Sequence, residues 1–462
     1  MSESVKLQPS VLIIFGITGD LAKRKVLPAL YNLCKERLLP EGTNIIGISR
    51  RHVPKEEILD KVNLCVLETD QVCDPEVIDR LRTWLTMFKL DPLDDDDYVQ
   101  LKSHLNDLDA KHGFELDRLF YLSIPPQVYG PIIERIGRHG LNREGNGAVS
   151  RLLIEKPFGY DLKSAEQLIE ETEKVFKEEQ IFRIDHYLAK ETAQNILKFR
   201  RHNPVFSSQW DCRHIRRIHV IAKEKIGIEN RVGFYERVGA LRDLIQSHLM
   251  QLLALTAMDI PKNINDTEVH SSKHAFMESL IPPSAMAGIN RQVVRGQYDT
   301  YRSEVGNIHS NTETFVSLVL KSHDPNWRDT LFQLTTGKSL DEKITMIQVF
   351  FGSQDPNILT FRIQPNEGIN LNLLIEQPGF VHNLKEVNME FRYNDHFDID
   401  NHEAYERVLV DAIRGDKLLF ASKSEVIASW KVLQPILDAW QNNNNDLQLY
   451  TTGSSGPSTD KL

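Results

Sequence analysis

VLIIFGITGDLAKRK, residues 11–25, reads as a buried strand, a glycine turn and the start of a helix. The unbroken apolar run VLIIF is typical of a strand covered on both faces of a parallel sheet. Glycines after such a strand let the backbone approach a pyrophosphate, and the next helix offers N–H donors to it. The spacing G-x-x-G-D-L departs from the usual G-x-G-x-x-G, so a purely structural turn stays open. The stretch predicts the first βα unit of a doubly wound domain.

The second strand, NIIGIS (44–49), ends at Arg50 and Arg51. Enzymes that use NAD usually carry an acid at this point, to bind the ribose 2′-hydroxyl, whereas an arginine accommodates a 2′-phosphate. A solvated basic turn is the alternative interpretation. Two arginines without an acid favour NADP.

Helices and strands continue to alternate as far as residue 184. Helical patterns cover about 55–66 and 75–89, and the acidic turn DPLDDDD (91–97) is expected to be solvated, with Asp91 a candidate for a place near an adenine. The strands LFYLSI (119–124) and VSRLLI (149–154) carry Tyr121 and lead into Lys156. Because sheet ligands gather at the carboxyl ends of parallel strands, both residues are candidates for the site. Lys156 precedes a proline, so their peptide bond is a candidate for the cis form.

RIDHYLAKE, residues 183–191, closes this half. If Asp185 starts a helix, His186 and Lys190 lie one turn apart on one face. Their donors and the free N–H groups of the first turn would then converge on a small anion. A helix start with a capping aspartate and solvated charges is the alternative.

The second half has strand-like runs joined by turns, with helices kept apart, which predicts an α+β domain on a mainly antiparallel sheet. Its helix GALRDLIQSHLMQLLAL (239–255) embeds Asp243 and His248 in an apolar stripe, where a lone histidine is more often structural. Glu224 ends a strand, and TTGKSLDEK (335–343) puts two lysines in a turn. We expect an NADP-binding Rossmann-like domain over 9–185, an α+β domain over 186–450, and a flexible tail over 451–462.

Composition narrows the class of protein. The chain has 462 residues with a net charge of −10, which disfavours a broad nucleic-acid surface. No apolar run approaches the roughly 20 residues that cross a bilayer. The N-terminus lacks a signal peptide's apolar core, and the four cysteines form no close metal-type pair. These features predict a cytoplasmic protein without nucleic-acid or membrane partners and without a metal site.

Taken together, GITGDLAKRK, EKPFG (155–159), RIDHYLAKE, the RDxxQxHL helix and the GKxL turn resemble the glucose-6-phosphate dehydrogenase family in order and spacing. The resemblance covers about 11–440, and RIDHYLAKE is its most specific part. It implies oxidation of carbon 1 of glucose 6-phosphate, hydride transfer to NADP, and formation of 6-phosphoglucono-lactone, which opens the oxidative pentose phosphate route. It also implies a homodimer or homotetramer formed through the large sheet, so that 186–450 is expected to be the substrate and oligomerisation domain.

The resemblance assigns roles to particular residues. His248 is similar to the general base, and Asp185 to the carboxylate that orients it, as in a Ser-His-Asp triad without the nucleophile. Lys156 resembles the lysine between substrate and nicotinamide. The remaining substrate positions comprise the phosphate-binding His186, Tyr187 and Lys190, and the sugar-binding Glu224, Asp243, Lys338 and Lys343. The cofactor positions are Gly16, Thr18, Gly19, Asp20, Leu21, Lys25, Arg50, Tyr121 and Lys156, and the acidic turn adds Asp91 as a further candidate.

Two alternatives stay open at this stage. One is a hexose-6-phosphate dehydrogenase that uses both NAD and NADP, and the other is a catalytically silent NADP-binding regulatory protein on the same fold. A second, structural NADP site, as in animal members of the family, is not expected. The corresponding strand (344–350) has no basic residue, and the sequence after residue 450 has no tryptophan.

Overall fold

A computed structural model describes residues 7–67, 73–229, 231–283, 289–352, 357–378, 383–397, 403–442 and 446–462. The strands as far as residue 223 are β1 Ser10–Phe15, β2 Asn44–Ser49, β3 Leu85–Lys89, β4 Asp117–Leu122, β5 Ser150–Ile154, β6 Ile181–Ile184 and β7 Ile215–Lys223. The later strands are β8 Leu280–Ile281, β9 Val293–Tyr298, β10 Phe315–Ser322, β11 Leu331–Gly337, β12 Ile344–Phe351, β13 Asn357–Gln364, β14 Gly368–Glu376, β15 Leu384–Arg392, β16 Phe420–Ala421 and β17 Leu447–Tyr450.

The first eight helices are α1 Leu27–Lys35, α2 Lys55–Leu67, α3 Pro75–Trp84, α4 Asp95–His112, α5 Tyr129–Arg138, α6 Leu162–Glu173, α7 Glu191–His202 and α8 Pro204–Ser207. The others are α9 Val232–Ala240, α10 Met250–Ala257, α11 Asp266–Ser279, α12 Tyr301–Glu304, α13 Tyr393–His396, α14 Ala404–Arg414 and α15 Lys423–Asn442. Two π-helical segments, Ala22–Val26 and Leu241–Leu249, run directly into α1 and α10. Among the described residues, no helix has both the length and the apolar character that a membrane span requires.

The chain divides into two compact units. The first contains Met1–Phe158, Glu166–Ala189 and His402–Lys423, and the second contains Gly159–Ala165, Lys190–Asn401 and Ser424–Leu462. The sequence predicts that the first domain ends at Asp185, whereas residues 402–423 also belong to the first unit. Local sequence patterns do not show that the chain returns to this unit, because the return depends on long-range packing.

The first unit contains a seven-stranded sheet in the order β16-β6-β5-β4-β1-β2-β3. Strands β1 to β6 are parallel and follow the order 3-2-1-4-5-6 of a Rossmann domain, with β16 added antiparallel at one edge. All six residues of β1 are buried, as expected for a strand covered on both faces. The predicted Rossmann-like domain is therefore confirmed.

One predicted element of this unit is wrong. The sequence predicts a single helix over 75–89, but α3 ends at Trp84 and LTMFK forms β3, which pairs in parallel with β2. Only Leu85 of this strand is fully buried. An edge strand of five residues carries too weak an alternation to stand out from a preceding amphipathic helix.

The second unit contains a ten-stranded sheet in the order β15-β14-β13-β12-β7-β11-β10-β9-β17, with β8 paired to β10. Most pairs are antiparallel, and β7–β11 and β9–β17 are parallel. The helical run from Leu241 through α10 packs on β7 and β11, and every residue of α10 is buried. This confirms the predicted α+β class with a mainly antiparallel sheet.

The segment 451–462 differs from its prediction as a flexible tail. In the structure it follows β17 and makes defined backbone hydrogen bonds, among them Gly453 N–H to the carbonyl of Ser339 at 2.7 Å. Its glycines serve close packing here: a Cβ on Gly456 would lie 2.8 Å from the ring of Phe315. Composition rich in Gly, Ser and Pro is shared by mobile tails and by tightly turned, packed ones.

Candidate active site

In the first unit, in-register parallel strands bring the residues that follow them to one edge of the sheet. Phe15 lies opposite Leu122, Leu122 opposite Ile154, and Ile154 opposite Arg183. The residues that follow these strands therefore share the carboxyl edge, where ligands of such sheets bind. They are Gly16, Ser123, Glu155 and Asp185.

A cavity of about 310 Å³ opens at this edge of the sheet, where a dinucleotide would bind. Its lining includes Gly16, Thr18, Gly19 and Arg50, four of the predicted cofactor residues. Gly16 has a φ of +81°, and a Cβ there would lie 2.5 Å from the carbonyl oxygen of Ser123. A side chain is thus excluded by both conformation and space. The glycine cradle and the exposed Arg50 at the end of β2 suit a phosphorylated dinucleotide.

Other predicted cofactor residues have different surroundings in the structure. Asp20 pairs with Arg24 at 2.9 Å on the surface, and the Lys25 ammonium lies 2.9 Å from the carboxylate of Glu403. Leu21 is half-buried and leads into the π-helical segment Ala22–Val26. Asp91 accepts the backbone N–H of Leu93 at 2.9 Å, between two residues that line the cavity. Their contact with a cofactor stays a prediction.

Tyr121 is fully buried, and its hydroxyl donates to Glu155 at 2.7 Å. The same carboxylate accepts a hydrogen bond from the hydroxyl of Tyr405 on α14. Tyr129 donates to the backbone carbonyl of Glu155 at 3.2 Å. Three tyrosines thus immobilise the residue that precedes Lys156, which is itself half-buried and joined to Pro157 by a cis peptide bond, as the sequence suggested.

Glu155 makes the stability of the protein pH-dependent. Burial raises the pKa of its carboxyl from 4.5 to about 7, against the opposing effect of hydrogen bonds from Tyr121 and Tyr405. A raised folded-state pKa means that the folded protein binds this proton more tightly than the unfolded chain. The resulting stabilisation, about 3 kcal/mol, is complete below pH 4.5 and is lost as the pH rises through about 7.

Glu155→Gln cannot ionise at this position. We therefore expect the melting temperature of the variant minus that of the parent to be larger at pH 8 than at pH 5. Thermal unfolding followed by circular dichroism at both pH values measures the two differences. Glu41→Gln, at an exposed glutamate, is the matched control. Equal differences at pH 5 and pH 8 would show that Glu155 does not titrate in this range.

The geometry expected of RIDHYLAKE is corrected by the structure. No helix starts at Asp185: residues 186–189 form a turn, and α7 begins at Glu191. The Asp185 carboxylate accepts the backbone N–H of Tyr187 at 3.0 Å, and Leu188 N–H reaches the Asp185 carbonyl at 3.1 Å. Asp side chains stabilise such local turns in competition with a helix. His186 and Lys190 are consequently not one helical turn apart.

His186 lies in an aromatic setting. Its ring centroid is 5.0 Å from that of Tyr187, and it stacks on Tyr405 at 6.2 Å with an interplanar angle of 22°. Tyr187 is largely buried and Asp185 almost completely so. Tyr405 therefore contacts both His186 and Glu155, although no sequence pattern drew attention to it.

In the second unit, His248 and Asp243 lie on the π-helical segment Leu241–Leu249. His248 is completely buried and Asp243 nearly so, with Arg231 3.9 Å from the Asp243 carboxylate. Local π-helical geometry is rare and occurs frequently at functional sites. This backbone feature separates His248 from an ordinary core histidine, and the sequence periodicity did not reveal it.

Glu313 holds the start of this segment. Its buried carboxylate accepts the backbone N–H of Leu241 at 3.0 Å, and its carbonyl accepts that of Ala240 at 3.0 Å. Gly239 has a φ of +67°, and a Cβ there would lie 2.3 Å from the Glu313 carboxylate oxygen. Burial raises the pKa of Glu313, and Arg242 opposes this. An acidic cap favours a helix start and positions what the helix carries.

Glu224 and Lys338 form an ion pair whose origin is the sheet register. Strands β7 and β11 are parallel neighbours, with Lys223 opposite Gly337, so the next residue of each lies at the same end. The Lys338 ammonium contacts the Glu224 carboxylate and lies 5.2 Å from the ring centroid of Tyr235. The structure thus brings together two predicted sugar-binding residues that are distant in sequence.

The remaining lysines of the second unit differ in exposure. The Lys190 ammonium is 4.0 Å from the carboxylate of Glu367, which also accepts the hydroxyl of Thr192 at 2.8 Å. Lys343 is exposed at the start of β12, unlike the buried Lys338. Lys343 is accordingly the weaker of the two candidates for a sugar contact.

Comparisons with known proteins find matches along nearly the whole chain. The sequence profile described as glucose-6-phosphate dehydrogenase, NAD binding domain, matches residues 13–195, and the profile for the C-terminal domain matches residues 197–462. Glucose-6-phosphate 1-dehydrogenase of Chlamydia muridarum is 36% identical, over 97% of this chain and 94% of that protein.

Two solved structures are similar throughout. A glucose-6-phosphate dehydrogenase in complex with its substrate glucose-6-phosphate has a TM-score of 0.91 at 28% identity, covering 98% of this chain and 97% of that one. Glucose-6-phosphate 1-dehydrogenase from Mycobacterium avium has a TM-score of 0.86 at 31% identity, covering 98% and 96%. The comparisons by sequence and by structure thus find proteins of the same description.

Proposed function

Since the chain belongs to the glucose-6-phosphate dehydrogenase family, we propose that residues of both units serve one hydride-transfer reaction. The chain is an oxidoreductase that oxidises D-glucose 6-phosphate at carbon 1 to 6-phospho-D-glucono-1,5-lactone with NADP, the first step of the oxidative pentose phosphate pathway. The observation that carries this conclusion is the match of both family profiles, which together span the two units.

NADP accepts the hydride when it is bound, so the chemistry of the chain itself is limited to binding, orientation and proton transfer. Gly16, Thr18 and Gly19 would hold its pyrophosphate against the start of the helix, and Arg50 its 2′-phosphate. The cavity and its glycine cradle support these roles.

His248 is proposed as the general base that takes the proton from the carbon-1 hydroxyl as the hydride leaves. A histidine suits this task because its ordinary pKa lies near neutrality. Asp185 is proposed to orient the imidazole and to stabilise its charged form. Both carboxylate and imidazole are almost fully buried, which favours a fixed geometry.

His186, Tyr187 and Lys190 are proposed to bind the 6-phosphate, because a dianion requires several charge-assisted donors. Lys156 is proposed to lie between sugar and nicotinamide, as the family resemblance implies, and the rigid setting of Glu155 supports an ordered position for it. The proposed sugar-hydroxyl contacts are Glu224, Asp243 and Lys338, with Lys343 as a further candidate.

The direct test is reduction of NADP by the purified chain with glucose 6-phosphate, followed by the absorbance of the reduced nicotinamide. The same assay with NAD, and with other hexose 6-phosphates, measures specificity. We expect a clear preference for NADP because Arg50 lines the cavity and none of the other residues that line it is acidic. Equal use of NAD would identify a dual-cofactor enzyme, and cofactor binding without turnover a silent regulatory protein.

A homodimer or homotetramer through the large sheet is also proposed. Strands β14 and β15 form one edge of the sheet, and their register places Leu373 opposite Val387 and Leu371 opposite Met389. Directly opposed residues project to the same face, so these four side chains form an apolar patch on it. Met389 is 62% exposed, which is unusual for an apolar strand position unless a partner covers it.

We expect Met389→Lys to shift the protein toward the monomer, because it buries a charge in the proposed interface. Sedimentation velocity over a range of concentrations measures the change. Asn388→Lys, on the opposite face of the same strand, is the matched control and should keep the parental mass. An unchanged oligomer in Met389→Lys would exclude this face as the contact.

A cytoplasmic location is proposed as well. Among the cysteines whose side chains the structure describes, Cys34, Cys73 and Cys212 are all free. Free thiols are usual where the redox environment is reducing.

A further inference from the structure

The segment 451–462 packs against the lysine turn, residues 338–341, which carries Lys338. Strand β17 precedes this segment and pairs with β9, and Leu340 and Ser454 form an isolated parallel bridge. The lysine turn, β9, β17 and the segment 451–462 all lie within the second unit.

Tyr450 connects β17 to the backbone of Lys338. Its hydroxyl donates to the carbonyl of Lys338 at 2.7 Å and accepts from the hydroxyl of Thr314 at 2.8 Å. The N–H of Lys338 in turn donates to the Thr314 carbonyl at 2.9 Å. The N–H and the carbonyl of Lys338 are both hydrogen-bonded in this way. The partner of the N–H is a backbone carbonyl, and the partner of the carbonyl is the side chain of Tyr450.

The next residues of the lysine turn are held by the 451–462 backbone. Gly453 N–H donates to the Ser339 carbonyl at 2.7 Å, and Asp341 N–H donates to the Ser454 carbonyl at 3.0 Å. Ser339 has a φ of +52°, which a serine rarely adopts and which persists only where the surroundings enforce it. Two backbone hydrogen bonds hold Ser339 in place: its carbonyl accepts Gly453 N–H of the segment, and its own N–H donates to the Ile226 carbonyl at 3.0 Å.

Apolar packing reinforces the same contact. Tyr450, Leu340, Phe315 and Tyr235 belong to one buried cluster, and Tyr235 is the ring over which the Lys338 ammonium lies. A shift of the lysine turn would therefore move the ammonium away from both Tyr235 and Glu224.

We propose that Tyr450 is a positioning residue for the sugar, acting with the 451–462 segment to fix Lys338. This inference rests on the proposed function, which assigns Lys338 to a sugar hydroxyl. The segment is thus a working part of the substrate site rather than a tail.

The test is Tyr450→Phe, which keeps the ring in the cluster and removes only the hydroxyl. Tyr301→Phe is the matched control, because Tyr301 is a buried member of the same cluster whose hydroxyl donates to Glu236 at 2.7 Å and not to the lysine turn. Steady-state kinetics of each full-length variant give KM for glucose 6-phosphate, KM for NADP and kcat. In Tyr450→Phe we expect KM for glucose 6-phosphate to rise about fivefold to thirtyfold, because sugar binding must then order a Lys338 that one buried hydrogen bond no longer fixes. KM for NADP should be unchanged.

A chain ending at Thr452, which lacks both backbone hydrogen bonds to the lysine turn, should show the same selective rise. The unmodified enzyme in the same assay reports the proposed function by itself. Equal KM values for glucose 6-phosphate in Tyr450→Phe and Tyr301→Phe would therefore overturn the role of Tyr450 without affecting the proposed function. A parallel rise of both KM values would also overturn it, because general loosening of the fold is not selective for the sugar.

Discussion

Replacement of His248 by asparagine should lower kcat by about 10²–10⁴-fold while glucose 6-phosphate still binds, because only general-base catalysis is removed. Asparagine is close to histidine in size and keeps hydrogen-bonding groups, so the buried π-helical segment around it should persist. Steady-state kinetics measures the loss of turnover. The rise in melting temperature with added glucose 6-phosphate measures binding without turnover.

His219→Asn provides the control. His219 is a half-buried histidine of the second unit, on β7, with its ring 2.8 Å from the Thr335 hydroxyl. Burial, aided by Arg217 and Lys223, lowers the pKa of His219 to about 3, so this ring is a poor proton acceptor near neutrality. Its replacement should leave kcat within about threefold, which is far below a base's contribution. If His248→Asn also stayed within that range, another group would have to be the base.

Lys190→Ala should raise KM for glucose 6-phosphate by about 10–100-fold, the loss of one charge-assisted hydrogen bond to a phosphate. The effect on kcat should be small, because the phosphate is remote from the reacting carbon. Unphosphorylated glucose offers no phosphate to Lys190, so kcat/KM for glucose should not change. The ratio of kcat/KM values for the two sugars is therefore the quantity to measure.

Lys198→Ala is the matched control for this substitution. Lys198 lies on α7, the helix that Lys190 precedes, and is exposed, so the same charge is removed from the same element. Its KM should match the parent's. Comparable rises in both variants would mean that the net charge of the region, rather than a direct contact, attracts the sugar phosphate.

The local parts of the site were predictable from short windows of sequence. A buried strand, a turn that only glycine fits and a following helix are each encoded within a few residues, as Gly16 illustrates. To predict Arg50 as a candidate for the 2′-phosphate, it was enough to know where β2 ends. The same reasoning failed at Asp185, because a side-chain hydrogen bond to Tyr187 competes with a helix start and leaves no periodic signal.

The sequence by itself determined the fold class, the glycine turn after β1 and the family-specific RIDHYLAKE motif, since hydrophobic period and glycine requirements act over neighbouring residues. Only the tertiary structure decided which distant residues support them. The in-register pairing of β7 with β11 joins Glu224 to Lys338, the return of α14 sets Tyr405 on His186, and Tyr450 reaches the Lys338 carbonyl. Such contacts depend on how whole elements pack, and that free energy is shared among many residues rather than written in any one stretch.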